Sequence, residues 1–181
     1  MREAGERLLK KYSLFSSIDA TAEATTLPAH TADFVTAGQA FHWFDRSRCR
    51  EEFIRILRPG GWVVLVWNDR RTDSTPFLRD YEQLLLKCST DYQQVNHRNV
   101  DAAMLREFFK GEMIERSVPN SQHFDFPSLT GRLLSSSYVP AAGEPGYDKM
   151  LTELKKVFDS HQEEGRVVFE HDTRVFYGNL I

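Results

Sequence analysis

Between Asp33 and Asn68 the chain reads strand–helix–strand, and no other stretch restricts the fold as much. The second strand, Trp62-Val63-Val64-Leu65-Val66-Trp67, is apolar at every position. A strand with one wet face alternates, so an unbroken apolar run predicts a strand covered on both faces, as in a parallel sheet. The first strand, Asp33-Phe34-Val35-Thr36-Ala37-Gly38, ends near the small residues Gly38 and Ala40, which allow a ligand close to the backbone. Asp45 is suited to cap the helix that follows. In that helix Cys49, Phe53, Ile56 and Leu57 share one face, while Arg48, Arg50, Glu51 and Arg55 point away. Pro59-Gly60-Gly61 predicts its end. A strand, a helix and a strand in this order predict a parallel pair joined by a right-handed crossover.

The flanking chain supplies further elements. Ala4, Leu8, Leu9 and Tyr12 recur at spacings of three and four, predicting a helix over Met1 to Tyr12. Phe15 to Ala20 is expected as a short strand, followed by a loop broken at Pro28. Helices are expected over Pro76 to Cys88, Asp101 to Lys110, Leu129 to Tyr138 and Tyr147 to Glu163. Met113 to Phe126 reads as a strand pair or one long strand ending at Pro127. Arg166 to Tyr177 reads as a final strand, antiparallel at the edge of an otherwise parallel sheet.

With 181 residues the chain is expected to form a single domain. Its net charge of −3 and short basic runs give no concentrated basic face, which argues against a nucleic-acid partner. The Trp62–Trp67 run is far too short to span a bilayer, so no membrane partner is expected. The two cysteines, Cys49 and Cys88, form no disulfide framework and suit a reducing, cytoplasmic setting. No Cys/His group has zinc-ligand spacing. No Gly-x-Ser-x-Gly elbow occurs, against an α/β-hydrolase.

Four features coincide in order: Ala22-Glu23 with Leu27-Pro28, then Asp33-Phe34-Val35, then Gln39-Ala40-Phe41-His42-Trp43-Phe44, then Arg55-Ile56-Leu57-Arg58-Pro59-Gly60-Gly61 leading into Trp62–Trp67. The series resembles the middle of class I S-adenosylmethionine-dependent methyltransferases, especially the small-molecule branch labelled methyltransferase type 11. The resemblance implies a Rossmann-like sheet, S-adenosylmethionine as cofactor and a small-molecule methyl acceptor. It implies a cofactor-side core over residues 1–70, a helical substrate region over 71–165 and a closing strand over 166–181. Ligands of open α/β sheets bind beyond the carboxyl ends of the strands. There Ala22 or Glu23 would meet the adenine amino group, and Gly38, Gln39 and Ala40 would offer main-chain groups to the methionine part. Phe41 and Trp43 would lie near the sulfonium, whose charge aromatic rings can stabilise, and His42 between them would belong to the same cofactor-binding segment. Trp67, Asn68 and Tyr138 would face the acceptor. No catalytic base is assigned, because methyl transfer draws mostly on alignment. Simpler roles stand beside these: a loop carboxylate for Glu23, a backbone partner for His42, helix-start packing for Trp43 and Phe44, and a core position for Trp67. Ser135-Ser136-Ser137 reads equally as a lid or a hydroxyl-rich helix end.

One departure qualifies the resemblance. The family's domain opens with an acidic-x-Gly-x-Gly turn and a second strand ending in an acidic residue, and residues 1–181 contain neither. The chain is therefore expected to lack the first two strands of the sheet and to bind S-adenosylmethionine weakly or not at all. A non-enzymatic binding or interaction module is the competing expectation. Without those strands the strand at Phe34 has a free edge. That edge is expected either to pair with the strand near Phe15 or to make the chain a homo-oligomer.

Overall fold

The structure is a computed structural model that describes residues 2–89, 92 and 102–180. The expected helix starts at Met1 and Asp101 lie outside the described residues. In chain order the elements are α1 (Arg2–Leu9), β1 (Ala32–Gly38), a 3₁₀ turn (Phe41–Trp43), α2 (Arg46–Ile56), β2 (Leu57–Arg70), α3 (Pro76–Cys88), α4 (Ala102–Phe109), β3 (Met113–Phe124), α5 (Phe126–Leu134), α6 (Tyr147–His161) and β4 (Val167–Gly178).

The four strands form one sheet in the order β1-β2-β4-β3. β1 pairs parallel with β2, from Phe34 opposite Trp62 to Gly38 opposite Val66. β4 runs antiparallel to both of its neighbours, so the other three strands share one direction. The mixed, mostly parallel α/β sheet is thus the one expected, with one change. β4 is inserted between β2 and β3 rather than placed at the edge. Sequence chemistry explains the exchange. β3 carries Arg116, Ser117, Asn120 and Ser121 and the donor-less Pro119, and it is largely exposed. Proline is tolerated at a sheet edge and not in its middle. β4 carries Val167, Phe169 and Phe176, all buried.

Two cores lie on opposite faces of the sheet. Val63, Leu65 and Trp67 of β2 and Phe176 of β4 pack against Cys49 and Phe53 of α2 and Leu105, Phe108 and Phe109 of α4. Val167 and Phe169 lie an odd number of residues from Phe176, hence on the other face of β4. They pack under α3, α5 and α6. Over β2 the second face is only partly covered: Trp62, Val64 and Val66 are half-buried while Val63, Leu65 and Trp67 are buried. The run expected to be covered on both sides is therefore fully covered on one, because the helices of the second face sit over the far half of β4.

Three local differences have clear causes. Residues 15–20 form no strand, only an isolated bridge following between Thr21 and Ala24. A strand exists only through a neighbour's hydrogen bonds, and no described strand lies alongside these residues. The expected pairing of this segment with β1 is accordingly not formed. Pro59-Gly60-Gly61 does not separate helix from strand. β2 starts at Leu57, and Gly60 turns at φ +79° where the register with β1 shifts between Ala32 and Phe34. Pro127 does not end β3; it lies in the first turn of α5, capped by Asp125, which accepts from the Ser128 N–H at 2.8 Å.

Candidate functional site

The carboxyl ends of β1 and β2 are built by short-range chemistry. β1 ends at Gly38, where a side-chain Cβ would meet nothing within 4 Å, so the backbone there is open to approach. Gln39 follows at φ +52°, a left-handed conformation uncommon for a residue with a side chain. It is held by its N–H, which donates to the Val66 carbonyl at 2.9 Å. Its side-chain amide reaches the Asn68 carbonyl at 3.5 Å. The turn at Gln39 sends Ala40 into the 3₁₀ segment, and Phe41 becomes fully buried with its ring 4.7 Å from Phe108. His42 and Trp43 remain outside this core, their rings 4.9 Å apart, and Trp43 is 65% exposed.

The turn at Thr21–Thr25 is brought to the same side by two carboxylates. Glu23 accepts from the Asp45 N–H at 3.0 Å, just ahead of α2. Asp45 in turn caps α2, accepting from the Arg48 N–H at 3.1 Å. Glu23's own backbone N–H, and then that of Asp45, hold its carboxyl below the usual carboxylate range. Burial, with the Glu23 charge next, pushes the Cys49 thiol up to about 12, so it stays protonated and unreactive. The second carboxylate is Glu52, only 8% exposed. It accepts from Thr25 N–H and hydroxyl and from both Nε and Nη2 of Arg55, and the Arg55 bonds lead in holding its pKa down to about 2.

The residues expected at an acceptor site divide. Asn68 is exposed, and its side-chain oxygen accepts from the Thr173 hydroxyl at 2.6 Å. Trp67 is 4% exposed, wedged edge-on between Phe41 and Phe176, and its buried indole N–H makes no hydrogen bond among the described residues. Its side chain faces α2 and α4 rather than solvent. Tyr138 lies away from the Gly38–Trp43 loop in sequence and packs with the second core, its ring 4.9 Å from Tyr92. Ser135 caps α5, and its hydroxyl donates to the Arg132 carbonyl.

Residues 1–65 match the family model for a methyltransferase domain. An uncharacterised methyltransferase of Schizosaccharomyces pombe is 37% identical over 81 residues, which is 45% of this chain and 32% of that protein. One of Mycobacterium tuberculosis is 48% identical over 50 residues, 28% of this chain and 21% of the other. The first part of the chain is thus similar to methyltransferase domains. A structure from Anaeromyxobacter dehalogenans, described as a type II methyltransferase, shares the fold over 99% of this chain and is itself covered to 77%, with a TM-score of 0.66 at 20% identity. The YcgJ protein of Bacillus subtilis shares the fold, with a TM-score of 0.51 at 17% identity, 98% of this chain and 77% of that one. The chain spans about a third or less of the length of the curated relatives it matches.

Two groupings in the chain have no signal in the sequence that would announce a site. The first is the Thr25–Glu52–Arg55 lock. Its only local signal is the i, i+3 spacing of Glu52 and Arg55, which is common on solvated helix faces. The second lies at the carboxyl end of β2. There Arg70 pairs with Glu82 of α3, and Tyr92 bonds to Arg70 at 3.0 Å and to Glu82 at 2.9 Å. The Arg70 guanidinium also stacks 5.1 Å over the Tyr81 ring. Beside it, opposite Arg70 in register, His171 is 3% exposed; burial and the nearby Arg132 charge lower its pKa. These groups come from segments up to a hundred residues apart, so no sequence spacing announces them.

Proposed function

We propose that the chain carries one wall of the cofactor cleft, together with the acceptor region, of an S-adenosylmethionine-dependent methyltransferase acting on a small molecule. The observation that carries this reading is the Gly38–Gln39 corner: an open glycine and a left-handed residue at the carboxyl end of a parallel strand. In open α/β sheets that is where ligands bind. The residues fit one side of the cofactor. Gly38, Gln39 and Ala40 offer backbone to the methionine part. Ala22 and Glu23 lie on the turn held to the start of α2, suited to the adenine amino group. The exposed Trp43 ring, beside His42, is free to cover the sulfonium. Bound S-adenosylmethionine would supply the electrophilic methyl group. The chain's own part is to orient it and to keep water from the acceptor.

Asn68, at the end of β2, and Tyr138, under the helical cap, are the side chains proposed to meet the acceptor, with Trp67 shaping the floor from inside the core. The helices of residues 71–165 form the substrate region in this reading, residues 1–70 the cofactor side, and 166–181 the closing strand. A cytoplasmic setting fits the two free cysteines. No helix among the described residues is long and apolar enough to cross a membrane.

Residues 1–181 contain no acidic-x-Gly-x-Gly turn to grip ribose and methionine carboxylate. This favours a second reading in which these residues alone serve as a methyltransferase-like binding module. Calorimetric titration with S-adenosylmethionine, with amide shifts mapped in parallel, tests both. The proposal expects weak binding, with shifts centred on residues 22–23 and 38–43. Absence of shifts there at saturating ligand overturns the cofactor-wall reading, and low-micromolar affinity overturns the claim that this wall is insufficient alone.

A further inference from the structure

The second core has a polar centre. Arg70 of β2 and His171 of β4 stand opposite each other in register, so both lie on the face covered by α3, α5 and α6. The His171 ring is buried and stacks on Phe169 at 6.1 Å. Phe169 is in turn met edge-on by Phe77 and Tyr81 of α3 and by Phe124 of β3. Buried polar atoms are nearly always hydrogen-bonded. The buried Nδ1 of His171 makes no hydrogen bond among the described residues. The charges around it are mainly positive. The Arg70 guanidinium lies over the Tyr81 and Phe169 rings, and α5 brings Arg132 near. The carboxylate that α3 supplies, Glu82, is already engaged by Arg70 and by the Tyr92 hydroxyl. On β4 itself, Glu170 and Asp172 alternate to the opposite face, where both meet Arg71. β3 sets the uncharged Asn120 opposite His171, and α6 sends the apolar Met150, Leu154 and Phe158 into this core. Burial pushes up the hydroxyls of Tyr81 and Tyr92, the latter to about 12, so they are uncharged near neutral pH.

We propose that His171 is a proton-released latch on the helical cap: neutral, it holds α3, α5 and α6 on the sheet, and a proton on its ring lets them open while the opposite core stays closed. That proton adds a positive charge to a cluster whose carboxylate is already engaged. Burial first, then the Arg132 charge, lower the His171 pKa from the usual 6.5; the Phe169 carbonyl and Asp172 act the other way and are outweighed. A histidine lowered in the folded state contributes its full stability above the unfolded value and progressively less as pH falls below it. The two cores are separate clusters on opposite faces of the sheet, so opening the second leaves the contacts of the first in place. Proteins commonly open in such sub-global units. The other histidine of the cap acts in the opposite sense. His161 of α6 meets Asp80 of α3 at 2.7 Å, and protonation strengthens that pair. In the proposed function the cap is the acceptor region, and acid loosens it. That consequence rests on the methyltransferase reading, whereas the latch itself does not.

Amide hydrogen exchange of the whole chain, corrected for the intrinsic effect of pH on exchange, tests the latch. Between about pH 7.5 and pH 5.5, protection in α3, α5 and α6 is expected to fall several-fold, with about tenfold the ceiling for one histidine. Amides of β1 and α2 should keep their protection. His171→Phe retains a ring against Phe169 and should leave the cap equally protected at the two pH values. Carbon-13 NMR of the wild-type histidine rings gives a reading that needs no variant. His171 should still be neutral in the closed state at the pH where ordinary exposed histidines are half protonated. Equal loss of protection in both cores overturns the latch, as does no loss in the cap. So does a loss that survives His171→Phe, and so does a His171 ring that titrates like an exposed histidine while the cap stays protected.

Discussion

Glu52 of α2 and Thr25 of the turn before β1 form a closed lock: the carboxylate takes the Thr25 backbone N–H at 2.7 Å and its hydroxyl at 2.5 Å. Residues 27 apart in sequence are thereby held at hydrogen-bond distance, and the turn bearing Ala22 and Glu23 is fixed to the helix that follows the Gly38–Trp43 loop. Glu52→Ala is expected to lower stability by about 2–3 kcal/mol, because it leaves both the Thr25 N–H and the Arg55 guanidinium without their acceptor. Urea unfolding measures it. A double-mutant cycle with Thr25→Ala should return a coupling well above zero; additive losses would mean the lock contributes no more than its separate parts.

The same carboxylate makes stability depend on pH. Its folded-state pKa, about 2, is below the ordinary value of 4.5, so the ionised form is favoured by folding. The contribution is complete above the unfolded value and is lost as pH falls through the window from 4.5 toward 2. Unfolding midpoints measured across that window should decline for the wild type. Glu52→Gln, already weakened at neutral pH, should show a shallower decline. Parallel curves for the two proteins would remove Glu52 from the acid transition.

Gly178 closes β4 against the start of β3. A Cβ there would stand 2.5 Å from the Glu112 carbonyl and 3.1 Å from the Phe109 ring. Because the first of these is backbone, it cannot swing away. Gly178→Ala is expected to cost about 1–3 kcal/mol through overpacking. Gly38→Ala, with open space at its Cβ, should fall well below that range in the same urea assay. Equal losses at the two glycines would contradict the packing described.

Phe41 and Trp43, two residues apart on one 3₁₀ turn, should behave oppositely. Phe41 is fully buried between α2, α4 and β2, so Phe41→Ala is expected to cost about 3–5 kcal/mol. Trp43→Ala, removing a ring that is mostly in water, should change stability by less than about 0.5 kcal/mol. It should nonetheless weaken S-adenosylmethionine binding in the calorimetric titration. Unchanged binding would leave Trp43 with no role at the cofactor.

Much of the first seventy residues was legible because its signals are local. The Asp45 cap, the buried stripe of α2 and the parallel strands on either side depend on residues within a turn or a strand of each other. The Gly38–Ala40 corner was readable as a place for close approach, though the left-handed turn at Gln39 was not. Trp67 shows the limit. Its position at the end of an apolar strand is equally consistent with a pocket wall and a core, and only the rings of Phe41 and Phe176 on either side decide for the core. Residues 15–20 have strand-forming side chains and form none, because strand pairing is a property of two segments and not of one.

By itself the sequence determined most of the helices and the strands that find partners, since helix and strand periodicity and capping act over a few residues. It also carries a resemblance to methyltransferase domains, through motifs in order on adjacent elements. Only the tertiary structure decided that β4 enters between β2 and β3, that the two cores lie on opposite faces, and that Glu52 reaches back to Thr25. Each of these depends on which distant segment arrives at a given surface, and a pattern confined to one segment carries no information about its partner. The strand–helix–strand unit from Asp33 to Asn68 was therefore legible as an element, while what packs against each of its faces was decided by segments far away in the chain.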